Sequence, residues 1–210
     1  MSMTLEEIAR LIRRAAEGRS RFVVAVAGPP GSGKSTIADQ LADLLRQAGE
    51  RVAVLPMDGF HLDNGLLEEA GLLARKGAPD TFDVRGLRDI LTAVKRAEEE
   101  VLVPVFDRSR ELAIASARRI PVSDRIVIAE GNYLLLGSRP WADLHPLFDY
   151  TILLKVPMEE LERRLIARWE GFDYPPEAIR AKVYENDLPN GRAVMEGSVA
   201  PALVIDWDGA

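Results

Sequence analysis

Short apolar runs alternate along the chain with longer segments in which apolar residues recur at helical spacing. The run at 22–27 is continuously apolar, as expected of a strand buried on both faces of a parallel sheet. Similar runs predict strands at 52–55, 101–106, 126–129, 151–156 and 203–206. Helical spacing predicts helices at 34–48, 86–98, 158–169 and 176–186, with a short one at 190–197. This alternation predicts an α/β fold with a mainly parallel sheet of about five strands, covered by helices on both faces.

The N-terminal segment is also predicted to be helical. Residues 4–17 have helical spacing and begin with a capping box in which Thr4 is followed by Glu7. Two stretches, 57–85 and 170–176, have no regular apolar period and are rich in turn residues. Long irregular segments inside a compact domain are usually functional loops or lids.

Composition and charge exclude several classes of function. The 210 residues include 33 Asp and Glu against 27 Lys and Arg, and the net charge of −6 argues against nucleic acid or an anionic membrane as partner. The chain has no Cys and only His61 and His145, which excludes disulfides, thiol nucleophiles and Cys-rich or His-rich metal sites. No run approaches the roughly 18 apolar residues of a membrane span. Residues 1–18 look like a charged helix and not a signal peptide, so we expect one cytoplasmic domain over 1–210.

A glycine-rich segment between the predicted strand 22–27 and the predicted helix 34–48 matches the phosphate-binding pattern G-x-x-x-x-G-K-[ST]. It reads Gly28-Pro29-Pro30-Gly31-Ser32-Gly33-Lys34-Ser35, followed by Thr36. The glycines let backbone N–H groups surround nucleotide phosphates, and the following helix presents its positive end to the same charge. We expect Lys34 to neutralise the β- and γ-phosphates, Ser35 to hold Mg²⁺, and Thr36 to support the α-phosphate side.

Motifs of other P-loop proteins are missing from the sequence. No Asn precedes a Lys, so the N-K-x-D sequence with which GTPases read guanine is absent, as is the L-S-G-G-Q transporter signature. The segment 83–86 has the letters of a GTPase D-x-x-G motif but does not follow an apolar strand. A nucleotide-operated switch and a small-molecule kinase both remain open.

Two carboxylates follow predicted strands directly. Asp58 comes after the run 52–57, and Glu130 comes after the run 126–129. In open α/β sheets ligands bind beyond the carboxyl ends of the strands, so both side chains should face the P-loop. A carboxylate there can take the proton of a hydroxyl that attacks the γ-phosphate, or can bind Mg²⁺ or substrate. We expect Asp58 to be the base and Glu130 to act at the metal, although either could be a turn residue before the glycine that follows it.

Several segments together carry a resemblance to one kinase family. Besides the P-loop they are Met57-Asp58-Gly59-Phe60-His61, Ala78-Pro79-Asp80-Thr81-Phe82-Asp83, Pro104-Val105-Phe106-Asp107-Arg108 and Glu130-Gly131-Asn132-Tyr133-Leu134-Leu135. In their order and spacing the chain resembles the phosphoribulokinase/uridine kinase family, which also contains bacterial-type pantothenate kinase. Within the family it most resembles bacterial fructose-transport-system kinases. The resemblance implies a three-layer α/β/α P-loop fold and the transfer of the γ-phosphoryl group of ATP, with Mg²⁺, to a small-molecule hydroxyl.

The resemblance also implies roles for single residues. Asp58 matches the residue taken as catalytic base, and Glu130 matches the acidic end of the second nucleotide motif. Asp83 and Asp107 match positions that help to form the acceptor pocket, although a surface ion pair explains Asp83 as well. Tyr133 belongs to the core, to a pocket wall, or to both.

The chain departs from uridine kinases at two places. Those enzymes usually have an aromatic residue shortly after the Asp of the second strand and a His beyond the Pro-aromatic-Asp element. This chain has His61 at the first place and Arg108 and Glu111 at the second, so uridine is disfavoured as acceptor. His61 could bind an acceptor hydroxyl or be an ordinary loop histidine, and Arg108 could line the acceptor pocket or form a surface pair.

The helix 158–169 carries arginines that could close over the phosphates. Arg164 follows Glu160 by four residues, and this spacing supports an ordinary ion pair on a solvated helix. Arg168 has no acidic residue four positions earlier and lies just before the irregular stretch 170–176. A lid arginine there would supply positive charge where negative charge develops. We therefore expect a small helical lid over about 163–186, with both arginines on the nucleotide.

These expectations define one hypothesis with named alternatives. The chain is expected to be an ATP-dependent phosphotransferase acting on an alcohol group, with a sugar such as fructose favoured over pantothenate-type or nucleoside acceptors. The alternative from another class is a switch or chaperone-type ATPase acting on a protein partner. The sequence leaves a homodimer open. The predicted substrate-binding residues are Asp58, His61, Asp83, Asp107, Arg108 and Tyr133, and the predicted catalytic residues are Lys34, Asp58, Glu130 and Arg168.

Overall fold

Five parallel strands form the central sheet of the computed structural model, which describes residues 3–207. In spatial order they are β2 (Val52–Pro56), β5 (Ile126–Gly131), β1 (Phe22–Ala27), β6 (Tyr150–Lys155) and β7 (Leu203–Asp206). Residues 1, 2 and 208–210 of the expected domain lie outside the described residues. The predicted sheet of about five parallel strands is confirmed.

Helices cover both faces of this sheet. They are α1 (Leu5–Ala15), α2 (Lys34–Gln47), α3 (Asn64–Glu69), α4 (Val84–Arg96), α5 (Met158–Glu170), α6 (Pro176–Arg180) and α7 (Leu188–Gly197). Successive residues of β1 point to opposite sides, because Val24 and Val26 pack with α1 and α2 while Val23 and Ala25 pack with α4. Both faces are buried, and the predicted three-layer α/β/α sandwich is confirmed.

The predicted strand 101–106 does not belong to the main sheet. It forms β3 (Val101–Asp107), which pairs antiparallel with a second strand, β4 (Leu112–Ile120), in a separate two-stranded sheet. The sequence pattern did not predict β4, because all of its residues except Ile120 are exposed and it shows no apolar period. This hairpin packs beside the turn that follows β2.

The predicted helices 176–186 and 190–197 are parts of one longer helix. Residues 181–187 form π-helical turns that join α6 to α7, and Leu188 N–H donates to the carbonyl of Val183, five residues earlier. In an α-helix residue 189 would donate to the carbonyl of Glu185, but Pro189 has no N–H. That carbonyl accepts a hydrogen bond from Arg75 Nη1 at 3.0 Å instead. A helix of this kind often marks a functional site.

The capping box at the start of α1 is confirmed. Thr4 N–H donates to Glu7 Oε2 at 2.9 Å, and Glu7 N–H donates to Thr4 Oγ1 at 3.3 Å. The stretch 57–85, expected to be irregular, contains α3 and three short 3₁₀ turns. Within residues 3–207 the structure has no helix that is both long and apolar enough to cross a membrane.

Candidate active site

The phosphate-binding loop connects β1 to α2, as the motif requires. Gly33 has a φ of 84°, a conformation that favours glycine, and a Cβ at this position would lie 3.3 Å from Trp207 Nε1. Lys34, the first residue of α2, is 9% exposed. The hydroxyl of Ser32 is buried and has no hydrogen-bond partner among the described residues. The loop can therefore bind a phosphate group through three features: the positive end of α2, the buried ammonium group of Lys34 and the unpartnered hydroxyl of Ser32.

Arg164 and Arg168 of α5 face this loop from above. Arg164 Nη1 donates to the carbonyl of Ser32 at 3.3 Å, and its Nε donates to Glu160 at 2.6 Å. Arg164 Nη2 is buried without a partner in the described structure, so it is available to a phosphate oxygen. Arg168 lines a cavity that also contains Pro30 and Lys34, and burial together with the nearby charge of Arg108 lowers the pKa of its guanidinium.

Ser35 and Glu130 meet at the end of the sheet where Mg²⁺ is expected. Ser35 Oγ donates to Glu130 Oε2 at 2.9 Å, and Glu130 is 5% exposed. Burial raises the pKa of Glu130, and the negative charge of Asp58 adds to this rise despite the opposing charge of Lys34. A hydroxyl beside a buried carboxylate fits Mg²⁺, which is usually held by one or two carboxylates together with nucleotide phosphates. The residues present therefore fit the metal.

Asp58 lies in the turn that follows β2 and borders two cavities. The larger has a volume of about 480 Å³ and reaches Lys34 and the helices α5 and α6, whereas the smaller, of about 180 Å³, contains Ser35 and Glu130. Arg108 at the end of the hairpin donates to Asp58 Oδ2 at 2.6 Å. Burial alone would raise the pKa of Asp58, but the charges of Lys34 and Arg108 outweigh it and lower the pKa.

His61 presents an acceptor to the larger cavity. Its Nδ1 lies 2.7 Å from the backbone carbonyl of Asp58, which can only accept, so this nitrogen carries the proton. Burial lowers the pKa of His61, although the charge of Asp58 opposes this, and the neutral ring keeps a lone pair on Nε2. The ring packs against Phe82 and Phe106, with centroids 4.1 and 4.6 Å away.

The structure does not bring every predicted residue into the larger cavity. Asp83 is exposed and caps α4, where its side chain accepts from Gly86 N–H at 2.8 Å. Asp107 binds the hydroxyl and N–H of Ser109. Tyr133 is fully buried in the core and donates to the carbonyl of Gly77, and burial raises the pKa of its phenol. Thr36 is exposed and also lies outside the lining of the cavity.

Other residues that line this cavity were not among the predicted site residues. They are polar or aromatic side chains: Asn64, Lys76, Asn132, Trp169 and Asn186. Lys76 Nζ donates to Asn64 Oδ1 and to the carbonyl of Glu111, each at 2.7 Å. Asn186 Nδ2 donates to the carbonyl of Lys76 at 2.8 Å. No signal in the sequence singles out Lys76, because it lies in a stretch without a regular period.

Comparison with known proteins places the chain in a family. A family model for the Methylmalonyl Co-A mutase-associated GTPase MeaB matches residues 3–65, which hold the P-loop and its flanking elements but less than a third of the chain. The Escherichia coli protein YggC is 35% identical over 188 residues, covering 89% of this chain and 78% of YggC. The Schizosaccharomyces pombe protein "Putative uridine kinase C227.14" is 31% identical over 199 residues, covering 89% of this chain and 83% of that protein.

Solved structures agree with this placement. The crystal structure of a "putative fructose transport system kinase" from Silicibacter sp. TM1040 has a TM-score of 0.92 and 44% identity, covering 96% of this chain and 98% of that chain. Bacterial pantothenate kinases also match, and the chain spans about half of their length. The chain belongs to the phosphoribulokinase/uridine kinase/pantothenate kinase family of P-loop kinases. It is therefore an ATP-dependent phosphotransferase that uses Mg²⁺ and acts on a hydroxyl group.

Proposed function

We propose that this kinase phosphorylates a hydroxyl of a small polyhydroxylated metabolite, with a sugar such as fructose favoured. The observation that carries the proposal is the position of Asp58, which borders both the larger cavity and the smaller one with Ser35 and Glu130. An acceptor in the larger cavity would meet the base on the side away from the metal-binding residues. The name of the Silicibacter relative supports a sugar acceptor.

Different residues carry out different parts of the phosphoryl transfer. Asp58 takes the proton of the acceptor hydroxyl, whose oxygen forms a bond to the γ-phosphorus while the bond to the bridging β,γ-oxygen breaks and ADP leaves. Lys34, Arg164 and Arg168 stabilise the negative charge on the transferring group and on the leaving phosphate. Mg²⁺, held through Ser35 and Glu130, neutralises further phosphate charge when it is bound.

Pantothenate-type and nucleoside acceptors are the nearest alternatives. The pantothenate kinase and uridine kinase relatives support them, and the departures at His61 and Arg108 argue against uridine. The match to a GTPase over residues 3–65 favours a second candidate, a nucleotide-operated switch acting on a protein. The guanine-reading sequence is missing from the chain, which favours the kinase.

The test is turnover of ATP with and without a panel of acceptors. The purified chain is incubated with MgATP and either D-fructose, other hexoses, nucleosides, D-pantothenate or D-glycerate, and ADP release is followed while products are identified by mass spectrometry. We expect ADP release to depend on a sugar and to equal the phosphorylated sugar formed. A product from pantothenate or a nucleoside alone would overturn the sugar preference, and hydrolysis stimulated only by protein fractions would overturn the small-molecule assignment.

A further inference from the structure

Lys76 lines the larger cavity from the segment between α3 and α4, and the backbone around it is held in place. Asn186 Nδ2 donates to the carbonyl of Lys76 at 2.8 Å, and the hydroxyl of Tyr133 donates to the carbonyl of Gly77 at 2.5 Å. Gly77 has a φ of 97°, a conformation that favours glycine, and its N–H donates to Thr81 Oγ1 at 2.9 Å. The lysine is therefore positioned before any ligand binds.

The ammonium group of Lys76 has no carboxylate within hydrogen-bond distance among the described residues. Only 14% of the side chain is exposed, and Nζ donates to Asn64 Oδ1 and to the carbonyl of Glu111, each at 2.7 Å. Both of these acceptors are uncharged. The carboxylate of Glu111 lies 3.7 Å away, and 52% of its side chain is exposed, so water weakens this pairing. Buried charges in proteins are normally paired, and one of the three N–H donors of this ammonium group remains for a ligand.

Three other cations that line this cavity are accounted for by the nucleotide or by the proposed base. Lys34 lies in the phosphate-binding loop, and Arg168 lies on the helix above that loop, so we expect both to bind the nucleotide. Arg108 donates to Asp58 Oδ2 at 2.6 Å. The charges of Arg108 and Lys34 thus balance the negative charge of Asp58. This balance reduces the repulsion between Asp58 and an acidic group bound elsewhere in the cavity.

Lys182, the fifth cation of the cavity wall, has a carboxylate nearby. It lies 4.5 Å from the centroid of the Trp169 ring, and its charge lowers the pKa of Asp187, which burial raises. Asp187 in turn accepts from Trp169 Nε1 at 2.7 Å. Water screens the remaining carboxylates of the wall because both are exposed. These are Glu111 and Glu185. The mostly buried charge that is left for a bound molecule is therefore that of Lys76.

A single small molecule can contact both Asp58 and Lys76. The centroid of the Phe106 ring lies 4.6 Å from that of His61 and 5.1 Å from Lys76 Nζ, so His61 and Lys76 flank the same ring. His61 also contacts the backbone of Asp58 through Nδ1. An acceptor that places one hydroxyl at Asp58 can extend past His61 to Lys76 within the same cavity. An acidic group at that end would form a charge-assisted hydrogen bond with the ammonium group.

We propose that Lys76 is a specificity-determining residue, whose ammonium group binds an acidic group of the acceptor, either a carboxylate or a phosphate. The assignment rests on the proposed function and narrows the acceptor to a hydroxylated metabolite, such as a sugar, that also carries an acidic group. When the acidic group is missing, Lys76 stays buried without a charged partner in the complex. The enzyme should therefore turn over a neutral counterpart less well.

The test compares each acid with its neutral counterpart. Lys76→Met keeps the length of the side chain and removes its charge, whereas Lys76→Arg keeps the charge. Arg10→Met is the control, because it removes a positive charge from an exposed position of α1, a helix that lines neither cavity. The probes are D-fructose 1-phosphate and D-fructose 6-phosphate with D-fructose, D-glycerate with glycerol, and D-pantothenate with D-panthenol. For each, kcat and KM are measured at saturating MgATP, and the KM for ATP is measured separately.

We expect the unmodified chain and Arg10→Met to prefer one acid over its neutral counterpart by about 10- to 100-fold in kcat/KM, mainly through KM. Lys76→Met should lose this preference, with the turnover of the neutral counterpart and the KM for ATP unchanged. Lys76→Arg should keep part of the preference. Whether the preferred acid is a sugar phosphate or a carboxylate identifies the acidic group that binds.

Three outcomes would contradict the assignment in different ways. An equal preference for the acid in Lys76→Met and in the unmodified chain would overturn the role of Lys76. Turnover of D-fructose that equals or exceeds that of its phosphates, without turnover of D-glycerate or D-pantothenate, would overturn the acidic acceptor and leave the proposed function standing. Failure of the unmodified chain to phosphorylate any probe would contradict the proposed function, and the role of Lys76 with it.

A second neutral variant keeps the assignment falsifiable if Lys76→Met folds poorly. Lys76→Met removes the hydrogen bonds to Asn64 and to the carbonyl of Glu111, whereas Lys76→Gln keeps an N–H donor and removes only the charge. Thermal melting of each variant measures any loss of folding. A purely structural role would lower the turnover of an acid and of its neutral counterpart together, whereas loss of recognition changes their ratio. We expect the ratio to fall towards one in a folded Lys76→Gln.

Discussion

The guanidinium of Arg108 lies 2.6 Å from the carboxylate of Asp58, at the boundary between the two cavities. An acceptor hydroxyl must reach this same carboxylate to transfer its proton. Arg108 therefore covers one oxygen of this carboxylate, and an acceptor or a water must use the other oxygen or displace the arginine. The side chain of Arg108 is 46% exposed, so it has room to move aside.

Removing the side chain of Arg108 should increase the hydrolysis of ATP in the absence of an acceptor. In Arg108→Ala, water can approach Asp58 without an acceptor, so we expect acceptor-independent ATP hydrolysis to rise several-fold. Arg110→Ala is the matched control, because Arg110 lies on the same hairpin and its guanidinium pairs with Asp107 at 3.7 Å and not with Asp58. ADP release is measured for both variants with MgATP alone. Equal rates in both variants and the unmodified chain would mean that Arg108 does not protect the base.

The acid limb of the pH profile should move in the same variant. The pKa of Asp58 is raised by burial, but the charges of Lys34 and Arg108 outweigh this and hold it below its ordinary value of 3.8. A carboxylate with a lowered pKa stays ionised as the pH falls. It loses its ability to accept a proton only at a pH below the ordinary pKa of Asp. Removing the positive charge of Arg108 raises this pKa, so the fall in kcat/KM should begin at higher pH in Arg108→Ala. Coinciding profiles would contradict this electrostatic contact.

Substitutions of Lys34 and of Asp58 should affect ATP binding and turnover differently. Lys34→Ala removes a buried positive charge from the phosphate loop, so both ATP binding and turnover should weaken. Asp58→Asn keeps the shape but removes the proton acceptor, so we expect kcat to fall by roughly 10² or more while ATP affinity stays within a few-fold. Calorimetric titration with ATP and steady-state kinetics measure the two effects. Near-normal turnover in Asp58→Asn would rule it out as the base.

Two arginines of α5, five residues apart, give a contrast within one helix. Arg168 lines the larger cavity, whereas Arg163 points outward and pairs with Glu160 at 2.6 Å with 70% of its side chain exposed. We expect Arg168→Ala to lower kcat by roughly 10² because a donor to the transferring phosphate is lost. Arg163→Ala should change kcat by less than about twofold, since exposed ion pairs contribute little. Similar losses in both variants would point to the stability of α5 instead.

The centre of the main sheet could be predicted from the sequence because β1, β2 and β5 are buried on both faces and their residues form short apolar runs. The hairpin could not, because β4 gains its structure from pairing with β3 while most of its side chains face solvent. The P-loop and the two strand-end carboxylates were predictable from spacing. Their placement in the structure agrees with those predictions, and their roles remain predictions.

The residues of the acceptor-binding cavity were less predictable. They depend on which side chains are buried and on how closely distant segments of the chain approach one another. Asp83 matched a family position, yet its carboxylate accepts from Gly86 N–H and caps α4. The close approach of the two strand ends, where a Cβ on Gly131 would lie 2.4 Å from Met57 Cβ, could not be predicted from the sequence. Such features depend on the distance between segments far apart in the chain.

The π-helical turns before Pro189 leave the Glu185 carbonyl to Arg75, while Asn186 reaches the carbonyl of Lys76. These two hydrogen bonds join the helical residues 181–187 to the loop that forms the opposite rim of the larger cavity. A typical net contribution is about 1 kcal/mol each, so parting the two rims would cost about 2 kcal/mol. That energy corresponds to an open population of roughly 3%. The two rims would therefore stay joined in most molecules, and an acceptor would enter through the opening that the cavity keeps in this state.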